Sequence, residues 1–228
     1  MDNLVLRAVN LSKDFTKGKE NISVVKSVSL DILSRDCIAI MGASGAGKST
    51  LLHMLGTLDR PTRGDLFFGN KNTNIWKLSD EALSDFRNRN LGFVFQFHYL
   101  LPEFSALENV MMPALISGMD RTQAKRKAEE LLRFIGLKER MEHRPGELSG
   151  GEQQRVSIAR SVILKPKLLL GDELTGNLDS ENSNRVLDLL LDLNKEFGIA
   201  LLIVTHDVDV ARRMKRVLTM KDGKIVSS

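Results

Sequence analysis

The sequence predicts an α/β fold built on a parallel sheet covered by helices. Three short runs are apolar without interruption: Cys37–Met41, residues 168–170 and residues 200–204. Strands that are apolar on both faces belong inside a parallel sheet. The stretches between them carry apolar residues at helical spacing. Each of the three runs also stops at a chemically loaded set: a Gly-rich loop with Lys48, then Asp172-Glu173, then Thr205-His206-Asp207. Ligands of open α/β sheets bind beyond the carboxyl ends of the strands, so the three ends point at one site.

In chain order, Val28, Leu30 and Ile32 alternate with Ser29 and Asp31, the period-two pattern of a half-buried strand. Ser34-Arg35-Asp36 makes a turn into the buried strand at Cys37, and an apolar helix with Leu51, Leu52 and Leu55 follows the Gly-rich loop. Ala124, Ala128, Leu131, Leu132 and Ile135 share one helical face, with Gly136 as a stop signal. Val156, Ala159, Val162 and Ile163 form another one-sided helix that opens at Ser149 and two glycines. Ser180 is placed to cap a helix carrying Val186, Leu187, Leu190, Leu191 and Leu193 and ending near Gly198. Asp222-Gly223 makes the turn of a final hairpin. No internal repeat or low-complexity linker interrupts the chain.

Composition narrows the classes. Of 228 residues 42% are hydrophobic and 27% charged, which excludes global disorder. No apolar run approaches the roughly 20 residues of a membrane-spanning helix. Met1-Asp2-Asn3-Leu4 lacks the basic patch and apolar stretch of a signal peptide. Cys37 is the single cysteine, so an internal disulfide framework and a multi-cysteine zinc site are excluded, and folding in a reducing cytoplasm is expected. The net charge of +4 comes from 33 basic and 29 acidic residues, largely intermixed. That excess could serve nucleotide phosphate, an anionic membrane surface, or solvation alone. The short clusters at Lys125-Arg126-Lys127 and residues 212–216 read as solvated helix faces. With 5% aromatics, one Trp and one Tyr, no base-stacking platform and no nucleic-acid partner are expected.

Gly42-Ala43-Ser44-Gly45-Ala46-Gly47-Lys48-Ser49-Thr50 fits the phosphate loop Gly-x-x-x-x-Gly-Lys-Ser/Thr. Its glycines let backbone N–H groups curl around an anion, and the following helix adds its positive end. Lys48 then reaches the β and γ phosphates of a nucleotide, and the Ser49 hydroxyl ligates Mg²⁺. Asp172, at a strand end, suits Mg²⁺, which takes few protein oxygens and keeps several waters. Glu173, one residue on, could polarise an attacking water; the same two acids could also merely start a surface loop. Leu148-Ser149-Gly150-Gly151-Glu152-Gln153-Gln154-Arg155 sets Ser149 and two glycines at a second helix start. One phosphate loop needs no second anion-binding helix in the same chain. Either it completes a site on another copy, or it is an ordinary Ser cap with glycines in a turn.

Residues 42–50, Gln96, residues 148–153, Asp172-Glu173 and His206 resemble, in order and over nearly the whole chain, the motif set of an ABC transporter nucleotide-binding subunit. The resemblance implies a P-loop NTPase fold with a RecA-like core, an antiparallel β subdomain and an inserted helical subdomain. It implies one ABC ATPase domain over residues 1–228, with 1–96 and 165–228 as the nucleotide-binding core and its β subdomain. Residues 97–164 would form the helical subdomain that bears the signature. ATP and Mg²⁺ would be the cofactors, and ATP would be hydrolysed to ADP and phosphate to power a permease.

By the same likeness, a head-to-tail homodimer holds two ATP molecules between the phosphate loop of one copy and Ser149, Gly150 and Gly151 of the other. Glu173, His206 and Gln96 would be catalytic, His206 being similar to the family's γ-phosphate switch histidine. Ser49, Gln96 and Asp172 would hold the metal, and Gln96 would link metal and water to the membrane partner. Asp179, in Gly176-Asn177-Leu178-Asp179, matches the loop that crosses the dimer. Phe15 falls where the family often stacks an aromatic on adenine. Two departures stand out: Leu174 replaces the usual Pro after the two acids and loosens the preset backbone there, and Ala46 stands where close relatives often have Ser.

Residues 95–102, 108–113 and 176–179 are further similar to a branch of lipoprotein-releasing, MacB-type efflux and FtsE-type cell-division ATPases. The Phe97-His98-Tyr99-Leu100-Leu101-Pro102 stretch is most similar to the lipoprotein-releasing members. Its apolar and aromatic side chains suit the grip on a short permease helix near residues 96–101, though they could also be core of the helical lobe. The resemblance implies a peripheral subunit on the cytoplasmic face of the bacterial inner membrane, and without a transmembrane segment no direct contact with cargo is expected.

Overall fold

The computed structural model describes residues 3–18, 20–69 and 73–227. Met1 and Asp2, part of the N-terminal stretch considered above, lie outside the described residues. The chain opens with two long strands, β1 (Leu4–Lys17) and β2 (Glu20–Leu33), then β3 (Cys37–Met41), α1 (Lys48–Leu55), β4 (Arg63–Phe68), α2 (Asp80–Asn90) and β5 (Leu91–Phe95). Helices α3 (Ala106–Ile116), α4 (Arg121–Phe134) and α5 (Gly150–Val162) follow. The chain then runs through β6 (Leu168–Asp172), α6 (Ser180–Phe197), β7 (Ala200–Thr205), α7 (Val208–Arg212), β8 (Arg216–Lys221) and β9 (Lys224–Ser227). Among the described residues no helix is long and apolar enough to cross a membrane.

Among those residues the strands form two sheets. One is antiparallel, in the order β2-β1-β4; the other has six strands in the order β5-β6-β7-β3-β8-β9. In the larger sheet only β9 runs antiparallel, joined to β8 by the hairpin turn at Asp222-Gly223. The three fully apolar runs lie side by side as β6, β7 and β3, which explains why no face of them is polar.

Side chains alternate across a strand, so each buried strand feeds two cores. Ile38, Ile40, Leu168, Leu170, Leu202 and Val204 face α1 and the antiparallel sheet. Cys37, Ala39, Leu169, Leu201 and Ile203 face the layer built from α3 to α7. The alternation in β2 is real, with Val28, Leu30 and Ile32 buried, although the strand starts earlier than the alternating segment.

The cap of α6 differs from the sequence reading. Ser180 is the first helical residue, and the cap is Asp179, whose carboxylate accepts from the Asn182 N–H at 2.8 Å. A cap must stand outside the helix with extended dihedrals, and Asp179 has φ −66° and ψ 165°.

The parallel register aligns the functional strand ends. Met41 pairs with Thr205, Asp172 with Val204, and Phe95 with Asp172. Gly42, Glu173, His206 and Gln96 therefore each lie one residue beyond a strand, or within one step of it, along a single edge of the sheet.

Candidate active site

The loop after β3 turns into α1 through Gly47, whose φ of 99° lies in the left-handed region. A side chain there would also meet the Val24 carbonyl oxygen, 2.6 Å from the added Cβ, so both conformation and space demand glycine. With glycine as its cap, α1 has no side chain satisfying its first N–H groups. Lys48 is buried along its stem, and its ammonium donates to the carbonyls of Gly42 at 2.8 Å and Ala43 at 3.0 Å. One concentrated positive charge thus stands beside the positive end of a helix.

Beside it, the Ser49 hydroxyl donates to Asp172 Oδ1 at 3.1 Å. Burial pushes the Asp172 carboxyl above its ordinary range, and the Ser49 hydrogen bond opposes that shift. Glu173 takes a left-handed φ of 46°, and its N–H donates to the Val204 carbonyl at 3.0 Å. Its Oε2 lies 2.7 Å from His206 Nδ1, so the carboxylate and the imidazole are one unit. The Gln96 amide donates to Asn177 Oδ1 at 3.0 Å, and Asn177 Nδ2 returns to the Gln96 carbonyl at 3.4 Å.

Ser44, Gly45, Gly47, Lys48, Ser49 and Thr50 share one open cleft of about 670 Å³ with Gln96, Glu173 and His206. Val24 of β2 forms its remaining wall. Asp172 is joined to it through Ser49, Gly42 and Ala43 supply the carbonyls under Lys48, and Ala46 packs beneath the loop as a buried residue.

Other candidates stand apart from the cleft wall. Phe15 is exposed on β1 opposite Ile22, with the Lys13 ammonium 5.1 Å from its ring centroid. Asp179 caps α6, and the Asn182 backbone N–H holds its carboxyl below the usual range. Ser149 starts α5 in a reciprocal box: its hydroxyl accepts from the Glu152 N–H at 3.3 Å, and Glu152 accepts from the Ser149 N–H at 2.8 Å. The Ser149 N–H bond is the main cause that holds the Glu152 carboxyl low against the cost of burial. Gly150 and Gly151 differ sharply. A Cβ on Gly151 would sit 2.6 Å from Asn182 Oδ1, whereas one on Gly150 meets only a Leu178 methyl at 3.9 Å.

Val24 and Asn177 were not legible as site residues. Val24 sits in an ordinary strand, and Asn177 reaches Gln96 across 81 positions of sequence, a pairing with no local signature.

Residues 25–176 match the family model of the ABC transporter. The chain belongs to the ABC transporter family. The lipoprotein-releasing system ATP-binding protein LolD of Syntrophus aciditrophicus is 51% identical to it, over 98% of this chain and 99% of the relative. The protein of the same name from Geobacter metallireducens is also 51% identical, over 98% of each. A solved ABC cassette, the dimeric MJ0796 in a post-hydrolysis state bound to ADP and Pi, matches with a TM-score of 0.88 and 38% identity over 97% of both chains. The P-loop ABC fold expected from the sequence is therefore the fold observed, antiparallel sheet and helices included. As an ABC ATPase, the chain binds ATP and couples its hydrolysis to transport.

Proposed function

We propose that this chain is the ATP-hydrolysing subunit of a lipoprotein-releasing transporter, acting as a homodimer under integral-membrane permease subunits on the cytoplasmic face of the bacterial inner membrane. The observation that carries the reading is the 51% identity to LolD proteins over essentially the full length of both chains. Residues 1–96 and 165–228 form the nucleotide core with its β subdomain, and 97–164 the helical subdomain.

In this reading Lys48 sets its charge against the β and γ phosphates. The donor set also fits Mg²⁺. Ser49 and Asp172 offer a hydroxyl and a carboxylate already in contact, and Mg²⁺ is usually held by one or two protein oxygens plus substrate phosphates. When bound it supplies charge neutralisation to the phosphate oxygens. Gln96 stands in the same cleft, where it would link metal and water to the membrane partner. Glu173 accepts the proton of the attacking water, and His206 orients that carboxylate beside the γ-phosphate. Phe15 serves the adenine ring, and Asp179 the contact across the dimer.

The separation of Ser149, Gly150 and Gly151 from the cleft supports a site completed by a second copy. Gly151 is a poor place to test this, because any side chain there disturbs Asn182 of its own chain. Gly150 is exposed and unobstructed. Gly150→Asp brings a like charge to the partner's phosphates, a cost of several kcal/mol, or about 100-fold or more. Its ATPase rate should fall by that factor while a single subunit binds ATP as the wild type does. A dilution series would reveal the opposite case, an ATPase rate per subunit independent of protein concentration.

The coupling surface gives a second prediction. Phe97 and Tyr99 are 63% and 65% exposed, and Leu101 is 38% exposed, so these side chains are not core. Truncating an interface aromatic at a hot spot costs about 2 kcal/mol or more, roughly 30-fold. Phe97→Glu and Tyr99→Glu should weaken association with the permease by at least that factor and leave the ATP dissociation constant unchanged. The transport reading itself is tested by isolating the chain from detergent-solubilised membranes and reconstituting the bound permease. ATP-dependent release of lipoprotein from the proteoliposomes is expected. A complex that instead exports small molecules, or binds division proteins without releasing lipoprotein, would replace it.

A further inference from the structure

Gln154 has no place in the cleft, yet its side chain is 0% exposed and both ends of its amide are paired. Nε2 donates to the Leu174 carbonyl at 2.7 Å, and Oε1 meets His98 Nδ1. Because the Gln154 N–H group is committed to Leu174, its oxygen must accept, which places the His98 proton on Nδ1. A buried amide held at both ends cannot rotate without stranding two polar groups.

Leu174 directly follows Glu173. The Glu173 backbone is in a left-handed conformation that a non-glycine residue keeps only when its surroundings hold it. Two contacts hold the far side of that residue: the buried Leu174 side chain, which packs over Gly171, and the Gln154 hydrogen bond. The ring constraint that Pro would supply at this position is thus replaced by an anchor on α5. His98 is in turn pinned to α5, since Arg160 donates to the His98 carbonyl at 2.8 Å and to the Tyr99 carbonyl at 2.7 Å. A continuous line runs from the exposed aromatic turn, through His98 and Gln154, to the backbone that aims Glu173.

We propose that Gln154 is a positioning residue for hydrolysis, holding the Leu174 carbonyl so that Glu173 faces the water, and that His98 sets the orientation of Gln154. The proposal rests on the role given to Glu173 above. Misplacement of about 1 Å can cost up to about 100-fold in rate. Steady-state ATPase of the full chain should show His98→Ala with kcat down about tenfold and KM for ATP within about twofold of wild type. Asn places its Nδ2 where His carries Nδ1, so His98→Asn should recover kcat to within about threefold. Gln154→Glu keeps size but turns an acceptor toward the Leu174 carbonyl, and should lose at least as much as His98→Ala.

A purely structural role would lower both histidine variants alike, and that result overturns the proposal. Wild-type kcat in His98→Ala overturns it as well. Should Gln154→Glu not fold, as judged by its unfolding transition, the two histidine variants decide alone. Glu173→Gln run in parallel separates the two levels. If it keeps turning over ATP, the role of Glu173 fails; if it is inactive while His98→Ala is not, the positioning line alone fails.

Discussion

Glu173→Gln is expected to slow ATP hydrolysis by about 10²- to 10⁴-fold, the range contributed by a positioned general base, with ATP binding retained. Gln keeps the length and hydrogen-bonding reach of Glu but cannot take a proton from water. Two ATP molecules should then remain trapped between two subunits, and the dimer should persist through gel filtration. The 2.7 Å contact between Glu173 and His206 adds a condition. Groups that act as a unit give non-additive losses. His206→Ala should also block turnover, but the double variant should be little worse than Glu173→Gln alone. Multiplying losses would mean that the two side chains act independently. Turnover of Glu173→Gln within about threefold of wild type, measured against the same general-base expectation, would mean the proton goes elsewhere.

The legibility of this site in the sequence has a physical boundary. Cys37–Met41 and the runs within β6 and β7 announced a parallel sheet because burial on both faces leaves no polar position. Parallel pairing then forces their ends to one edge, so Lys48, Glu173 and His206 could be assigned to one place before any coordinate was known. What stayed hidden depends on side-chain pairs distant in sequence. Gln96 and Asn177 are 81 positions apart, and Gln154 and Leu174 are 20 apart. Leu174 illustrates the loss. Read as a residue in isolation, it lacks the ring that would preset the backbone; in the fold its buried side chain and Gln154-bound carbonyl supply the restraint. The α6 cap shows the opposite, local limit: Asp179 and Ser180 are both good caps, and only the backbone turn decides between them.

Lys48→Ala is expected to weaken ATP binding by about 10- to 150-fold, since a hydrogen bond to a charged group is worth about 1.5–3 kcal/mol. Turnover should fall further, because the same cation opposes charge that develops in the transition state. The structure gives Lys48 a second task, for its ammonium also ties the carbonyls of Gly42 and Ala43. Lys48→Met separates the ammonium, with both of its tasks, from the buried stem, which it keeps. Equal losses in Ala and Met would assign the effect to the ammonium; a loss confined to Ala would assign it to packing. Thermal unfolding offers an independent reading. At ligand concentrations near 100 times the wild-type dissociation constant, binding stabilises the fold by about 2.7 kcal/mol, and a 100-fold weaker variant gains only about 0.4 kcal/mol. For a chain of this size that is an ATP-induced shift of roughly 5–11 °C reduced to about 1 °C. A full wild-type shift in Lys48→Met, dependent on Mg²⁺, would remove Lys48 from the phosphate site.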